Sequence, residues 1–143
     1  MNKKAFTILE ILVVLTVLAI LIGIAVPRIK GMQDQANIQK AQAELRTLQV
    51  ALESYYVNSS PNAYPANIGA ALTGASPQIL QATLVDPFTS SGYGYATTGK
   101  YYVVYSAGPD GTAGDGSAYA ISAGGVVTHK GADDICVTNG SGC

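Results

Sequence analysis

The sequence lacks tryptophan altogether, contains a single histidine, His129, and has only 12% charged residues. No Ser-His-Asp or Cys-His arrangement is recognisable around this histidine, and the carboxylates follow no pocket pattern, so we predict that the chain is not an enzyme. The 8 basic and 9 acidic residues nearly balance. Because the basic residues are scattered and form no patch interleaved with aromatic side chains, we predict no nucleic-acid binding.

Cysteine is equally scarce, and both cysteines, Cys136 and Cys143, lie close to the C-terminus. A metal site would need further cysteine or histidine ligands, which the lone His129 cannot supply. A disulfide between the two cysteines is therefore favoured over free thiols, and it would place the domain outside the cytoplasm. In the chain-entropy model such a small loop contributes about 1.5–3 kcal/mol and restrains the terminus.

One long apolar run does stand out, residues 6–26, which follows the polar and positively charged residues 1–5. About 21 apolar residues are enough to span a bilayer as a helix, and Lys3 and Lys4 before them predict a cytoplasmic N-terminus. Glu10 is the only charged residue within the run. An acidic side chain costs about 2.5–3.5 kcal/mol at the centre of a membrane helix and less toward its ends, so such a residue usually has a partner.

A cleavable secretion signal in residues 1–27 and an ordinary signal anchor are the two alternatives for this segment. Glu10 lies unusually early for a signal peptide, the run is long, and no good cleavage site follows it. An ordinary anchor would leave Glu10 unexplained. Both alternatives are less favoured than a segment in which the carboxylate has a specific partner.

The second half of the N-terminal region has an amphipathic pattern. Apolar residues recur at spacings of 3, 4, 3, 4 and 3, which is one face of a helix: Ile38, Ala41, Leu45, Leu48, Leu52 and Tyr55. We predict one helix that continues to about Tyr56, with a soft spot or kink at Gly23 and Pro27. Its apolar half would cover residues 6–27 and its amphipathic half residues 28–56.

Residues 57–143 predict a small globular head. Strand-like segments separated by glycine-rich turns occur at 92–96, 101–106, 119–122 and 125–128, and a short helix is expected around 77–84. We expect an antiparallel sheet of three or four strands to lie over the amphipathic half of the helix. The predicted fold class is α+β, a long N-terminal helix packed against a small antiparallel sheet.

The N-terminus resembles the type IV filament superfamily of pilins and type II secretion pseudopilins. The matching residues are Lys4-Ala5-Phe6-Thr7-Ile8-Leu9-Glu10, the apolar run after them, and Pro27 at the usual kink position. The resemblance implies a type IV pilin-like fold. A prepilin peptidase would cut after Ala5, where glycine is commoner, and would methylate the new amino group of Phe6. Glu10 would then pair with the N-terminus of a neighbouring subunit.

The function that this resemblance implies is that of a structural subunit. It would be a single-pass inner-membrane protein with an extracytoplasmic head before assembly, and part of a homopolymeric pilus or periplasmic pseudopilus afterwards. Its partners would be other copies of itself, the prepilin peptidase and a pilus or secretion assembly platform. A minor pilin and a secreted or membrane-anchored binding module that does not polymerise are the alternatives.

A glycine-rich loop, residues 106–117, lies between two predicted strands and contains Asp110 and Asp115. Small residues between two acids suit the oxygen ligands of Ca²⁺, although a plain hairpin loop is the competing interpretation. With Asp86-Pro87-Phe88 and the tyrosine-rich strands, the region resembles the major pseudopilins of type II secretion. That resemblance implies side-chain ligands from Asp110 and Asp115 and backbone ligands from Ser106 or Gly108. The neighbouring Asp133 and Asp134 could supply a further ion ligand or form only a solvated turn, and the turn is favoured.

Overall fold

The computed structural model describes residues 7–114, 119–128 and 131–143. Its two helices are α1, Ile8–Asn58, and α2, Ile68–Thr73. Five strands follow: β1, Gly94–Thr97; β2, Tyr102–Ser106; β3, Ala120–Ile121; β4, Val127–Thr128; and β5, Ile135–Thr138. The chain divides into two units, Met1–Ala36 and Asn37–Cys143. The predicted α+β class with a long N-terminal helix and a small antiparallel sheet is confirmed.

The first unit consists of the apolar part of α1. Thr7 caps the helix, because its hydroxyl accepts a hydrogen bond from the backbone N–H of Glu10 at 3.2 Å. The α-helix passes through Gly23 and Pro27, where the sequence predicts a soft spot or kink, without a break in its helical structure. By length and composition the helix can cross a membrane, and its most apolar 18-residue window is 0% buried.

The second unit is built on the amphipathic part of α1. The predicted stripe is confirmed at its centre, where Ala41, Leu45 and Leu52 are 0% exposed and Leu48 is 3% exposed. These side chains pack against aromatic and aliphatic residues of the head, among them Tyr102 and Val104. Each large apolar side chain buried in this way contributes about 1.5–3 kcal/mol to folding.

Strand β2 is buried on both faces because its side chains alternate between two clusters. Tyr102 and Val104 point into the cluster around α1. Val103 packs instead against Tyr119, which directly precedes β3, and against Ile121 and Val127 of the second, two-stranded sheet. The head therefore has three layers, namely the helix, the sheet that contains β2, and the β3–β4 hairpin.

The strand pairing differs from the single sheet that the sequence predicted. The four predicted strands are present with shifted ends, but they divide between the sheet β1-β2-β5 and the hairpin β3-β4. Strand β5 was not predicted, and it pairs antiparallel with β2 in the register Val104↔Val137. From the sequence, Cys136 was assigned to a terminal disulfide loop, and the pairing of β5 with β2 depends on a partner strand that is distant in sequence.

The short helix lies earlier in the chain than predicted. Among the described residues, 77–84 contain no helix, whereas α2 occupies Ile68–Thr73. Asn67 begins α2 by accepting the Gly69 N–H at 2.9 Å, and Leu72 within it is fully buried. The prediction at 77–84 was wrong because an N-cap and one buried leucine decide the position of so short a helix.

Two glutamates of α1 connect the helix to tyrosines of the head. The Tyr93 hydroxyl donates to Glu44 at 2.7 Å, and the Tyr64 hydroxyl donates to Glu53 at 3.0 Å. Burial, followed by the hydrogen bond to the glutamate, raises the pKa of Tyr64 and of Tyr93 above the ordinary tyrosine range. The tyrosines therefore keep their protons and act as donors at neutral pH.

We expect the head to lose stability in alkaline solution. Burial raises the pKa of Tyr95 to about 12, whereas an unfolded tyrosine has a pKa of about 10. The stabilisation is complete below about pH 10 and is lost as the pH rises toward 12, because the unfolded chain then releases the proton more readily. Tyrosinate absorbance and near-ultraviolet circular dichroism should change together in this interval. A spectrum in which every tyrosine ionises near pH 10 while the fold persists would contradict the expectation.

Candidate functional site

The assembly segment predicted from the sequence lies at the beginning of α1. Glu10 is in the first turn of the helix and is exposed, as are the apolar side chains around it, with Ile8 87% and Leu9 74% exposed. An acidic residue in the first turn interacts favourably with the helix dipole. The cleavage and methylation residues, Ala5 and Phe6, lie outside the described residues.

The glycine-rich loop meets a second loop that the sequence did not connect with it. The backbone N–H of Asp110 donates to the Asp133 carboxylate at 3.1 Å, and that of Gly114 donates to Asp134 Oδ2 at 2.7 Å. Residues some 20 positions apart in sequence are thereby held side by side. Asp115, the second predicted side-chain ligand, lies outside the described residues.

Asp134 is the most unusual acidic residue at this site because it is buried, with 7% of its surface exposed. Its Oδ2 accepts hydrogen bonds from Gly114 N–H, from Gly131 N–H at 2.8 Å and from the Tyr119 hydroxyl at 2.9 Å. Its Oδ1 is buried and has no hydrogen-bond partner among residues 7–114, 119–128 and 131–143. The expectation that Asp134 lies in a solvated turn was therefore wrong.

A buried carboxylate oxygen without a partner costs free energy unless something binds it. A hard cation such as Ca²⁺ prefers carboxylate and backbone oxygens, and Asp134 Oδ1 is one oxygen of this kind. Burial of Tyr119, followed by its hydrogen bond to this carboxylate, raises the pKa of Tyr119. The Tyr119 hydroxyl therefore stays protonated at neutral pH. Within the described parts of the chain, no three His, Cys, Asp or Glu residues form a ready-made metal cluster.

The predicted backbone ligands, Ser106 and Gly108, lie where β2 runs into the loop. Ser106 is fully buried, and its hydroxyl donates to the Asp86 carboxylate at 2.9 Å. Asp86 also accepts the Ala107 N–H at 3.1 Å and the Phe88 N–H at 3.0 Å. A Cβ on Gly108 would lie within 2.4 Å of the Asp133 carbonyl oxygen, so only glycine fits between the two loops.

Sequence reasoning noted Asp86 only as part of a resemblance and missed its structural role. The signal was present, since Asp followed by Pro favours an Asx turn in which the side chain accepts a nearby N–H. Asp134 was considered as an alternative ion ligand, but nothing in the sequence indicated that it is buried. Its burial depends on Tyr119 and Gly114, which are distant in sequence, so local pattern could not identify it.

The predicted disulfide between Cys136 and Cys143 is confirmed, with Cα atoms 5.5 Å apart. It joins β5 to a terminal segment that is also held by backbone hydrogen bonds. Ser141 donates to the Gly125 carbonyl at 2.8 Å and accepts the Val127 N–H at 2.9 Å. The C-terminus is therefore tied to both sheets of the head.

Comparison with known proteins agrees with the N-terminal assignment. Residues 1–26 match the prokaryotic N-terminal methylation motif. The chain is similar to the type II secretion system core protein G of Pectobacterium carotovorum, with 35% identity over 46% of this chain and 40% of the relative. The protein of the same name from Klebsiella michiganensis is 36% identical over 41% of this chain and 42% of that relative.

A longer match extends into the head. The type II secretion system core protein G of Escherichia coli K12 is 28% identical over 79% of this chain and 86% of the relative. The alignments to the first two relatives span about two fifths of those proteins. No solved structure matches the chain significantly. The recognition made from the sequence is confirmed, since the chain carries the methylation motif and is similar to type II secretion core proteins.

Proposed function

We propose that this chain is a structural subunit that, after removal of residues 1–5, polymerises into a helical filament of the type IV class. The observation that carries the proposal is an apolar helical segment with a single carboxylate, Glu10, inside a matched methylation motif. The named relatives favour a type II secretion pseudopilus over a surface pilus. A minor subunit is the second candidate within the same class.

Physical chemistry supports polymerisation. The most apolar window of α1 is 0% buried, so it has to be covered either by lipid or by other protein surfaces. Helices of many copies can cover one another, because each presents the same apolar surface. A carboxylate that pairs with the amino group of the neighbouring Phe6 then sets the register, since a slipped copy leaves both charges unpaired in a dry core.

The same segment defines the proposed location and partners. Before assembly it anchors the chain once in the inner membrane, with Lys3 and Lys4 on the cytoplasmic side and the head outside. The confirmed disulfide is compatible with an oxidising compartment for the head. The proposed partners are the prepilin peptidase, the secretion assembly platform and further copies of this chain.

Mass spectrometry of the mature N-terminus tests this proposal directly. We expect a chain that begins at Phe6 and carries a methyl group, because the motif requires cleavage after Ala5. Electron microscopy of cells that overproduce the protein should show filaments containing it. A mature chain that still begins with Met1, or one that begins beyond Ala25 as after signal-peptide removal, would contradict the proposal.

We also propose that the head binds Ca²⁺ between its two acidic loops. The buried Oδ1 of Asp134, which has no hydrogen-bond partner in the described part of the chain, supports this proposal. Asp110, Asp115 and the backbone of Ser106 or Gly108 are the further candidate ligands. Bound Ca²⁺ would supply positive charge that neutralises the buried carboxylate. Isothermal calorimetry of the detergent-solubilised chain should give binding heat with CaCl₂ and less with MgCl₂. Absence of both heat and a higher melting temperature would rule the ion out.

A further inference from the structure

Strand β1 forms one edge of the three-stranded sheet, because the strand order is β1-β2-β5. At the turn between β1 and β2, the Thr98 N–H donates to the Tyr101 carbonyl at 2.9 Å. Two residues further into the strand, Ala96 lies opposite Val103. In an antiparallel pair every second residue bonds to the partner strand, so the residue between these bonded positions and the next directs its backbone outward. Tyr95 therefore presents its N–H and C=O at the outer edge of β1.

This outer edge has no neighbouring strand in the described part of the chain. The nearest backbone pairing on that side is the isolated antiparallel bridge between Val85 and Gly92, just before β1. Beyond the bridge the two segments are not paired, and a partly enclosed pocket of about 270 Å³ opens between them. Thr83 and Leu84 line it on one side and Tyr95 on the other. The unpaired backbone of Tyr95 is thus adjacent to a pocket.

No charged side chain lines this pocket. Leu48, Ile68 and Leu84 supply aliphatic surface to it, and the rings of Tyr93 and Tyr95 supply aromatic surface. Both tyrosine hydroxyls donate to acceptors elsewhere in the head, at 2.7 and 2.8 Å. A charged group placed here would lose its hydration without gaining an opposite charge, so the lining favours an uncharged apolar group.

The volume and the position of the pocket indicate what carries that group. A cavity of about 150 Å³ holds one benzene molecule, so a pocket of about 270 Å³ has room for a side chain as large as leucine and part of its backbone. Residues directly opposite each other on paired strands project to the same face. A residue paired with Tyr95 would therefore direct its side chain toward α1, from which Leu48 lines the pocket.

We propose that the edge of β1 and the adjoining pocket form one binding site for an extended peptide segment of a partner protein. The segment adds a strand to β1, and one of its residues pairs with the N–H and C=O of Tyr95 while inserting an uncharged, leucine-sized side chain into the pocket. A ligand without a peptide backbone fits less well, because it would leave both backbone groups of Tyr95 without a partner. The site goes beyond polymerisation and does not depend on it.

NMR titration of the isotope-labelled full chain in lipid nanodiscs tests the proposal. The probe is the peptide acetyl-Thr-Leu-Thr-amide, and we expect saturable shifts of the Tyr95 amide and the Leu84 methyl groups. Acetyl-Thr-Asp-Thr-amide would place a charge in the pocket, and the probe methylated on the leucine nitrogen would lack the N–H that bonds to the Tyr95 carbonyl. Each of these two peptides should bind at least about tenfold more weakly than the probe.

A variant that fills the pocket provides a second measurement. A Cβ on Gly69 would have its nearest neighbour at 3.5 Å, so Gly69→Leu places a side chain in the pocket without a backbone clash. The variant should weaken probe binding at least about tenfold and should not lower the melting temperature, because leucine favours a helix more than glycine does. The control is Gly124→Leu in the β3–β4 turn, where the nearest neighbour of a Cβ would lie at 3.8 Å. It should bind the probe as the wild type does.

The outcomes separate clearly. The absence of a saturable shift at Tyr95 in the wild type, or equal affinities for the three peptides, would overturn the proposal. Unchanged probe binding by a folded Gly69→Leu chain would also overturn it. If Gly69→Leu lowers the melting temperature, the comparison of the three peptides on the wild type decides alone.

Discussion

Replacing Glu10 by alanine should abolish most filament assembly while leaving the protein in the membrane. In the proposed filament the carboxylate pairs with the amino group of a neighbouring Phe6, and removing one partner of a buried ion pair costs about 3–5 kcal/mol. Because about 1.4 kcal/mol corresponds to a tenfold change in an equilibrium, filament yield should fall by at least about a hundredfold. Membrane insertion should be unimpaired, since alanine is less costly than glutamate in lipid.

Two conservative variants separate charge from shape at this position. Glu10→Gln keeps the size but removes the charge, and it should assemble as poorly as the alanine variant. Glu10→Asp keeps the charge on a shorter side chain and should give an intermediate yield. Quantitative immunoblots of sheared filaments against membrane fractions provide the measurement. Normal filament yield from Glu10→Ala would remove this residue from the assembly mechanism.

Replacing Asp134 by alanine should destabilise the head more than replacing any other acidic residue of the two loops. The variant would leave the N–H groups of Gly114 and Gly131 and the hydroxyl of Tyr119 without their acceptor. Each buried group left unsatisfied costs about 1–3 kcal/mol, so a loss of about 3 kcal/mol or more is expected. For a domain of this size, that loss lowers the melting temperature by more than about 10 °C.

The neighbouring residue offers a matched control. Asp133 is exposed and accepts only the Asp110 N–H in the described structure, so Asp133→Ala should cost less than about 1 kcal/mol. Thermal unfolding followed by the near-ultraviolet tyrosine signal would compare the two variants with and without CaCl₂. The calcium-dependent rise should be absent from Asp134→Ala. Equal melting temperatures for Asp133→Ala and Asp134→Ala would show that Asp134 does not organise these loops.

The structure of the N-terminal region could be predicted from the sequence because it depends on residues that are close together in the chain. A long apolar run with one carboxylate at Glu10 needs no tertiary contact to be recognised, and the helical stripe through Leu45 and Leu52 follows from spacing alone. The disulfide between Cys136 and Cys143 was also predictable, since only two cysteines were available. Composition and periodicity can be evaluated from the sequence because they do not depend on tertiary contacts.

The head was predicted less well because short elements depend on distant partners. The sequence located the strand around Tyr102 but assigned all the strands to one sheet. It missed β5 and placed the short helix at 77–84 instead of Ile68–Thr73. A strand of two to five residues is hardly stable alone. Its pairing therefore depends on which apolar side chains become buried when neighbouring segments pack together.

By itself the sequence determined that this chain has an apolar helix with one carboxylate near its beginning and an amphipathic continuation. The apolar run, the position of Glu10 within it and the spacing of the amphipathic stripe can all be recognised from contiguous residues. Only the tertiary structure decided that Asp134 is buried beside Gly114, and that Leu48, Thr83 and Tyr95 line one pocket. The physical reason is that burial and hydrogen-bond satisfaction belong to groups brought together by folding, and such neighbours leave no regular spacing in the sequence.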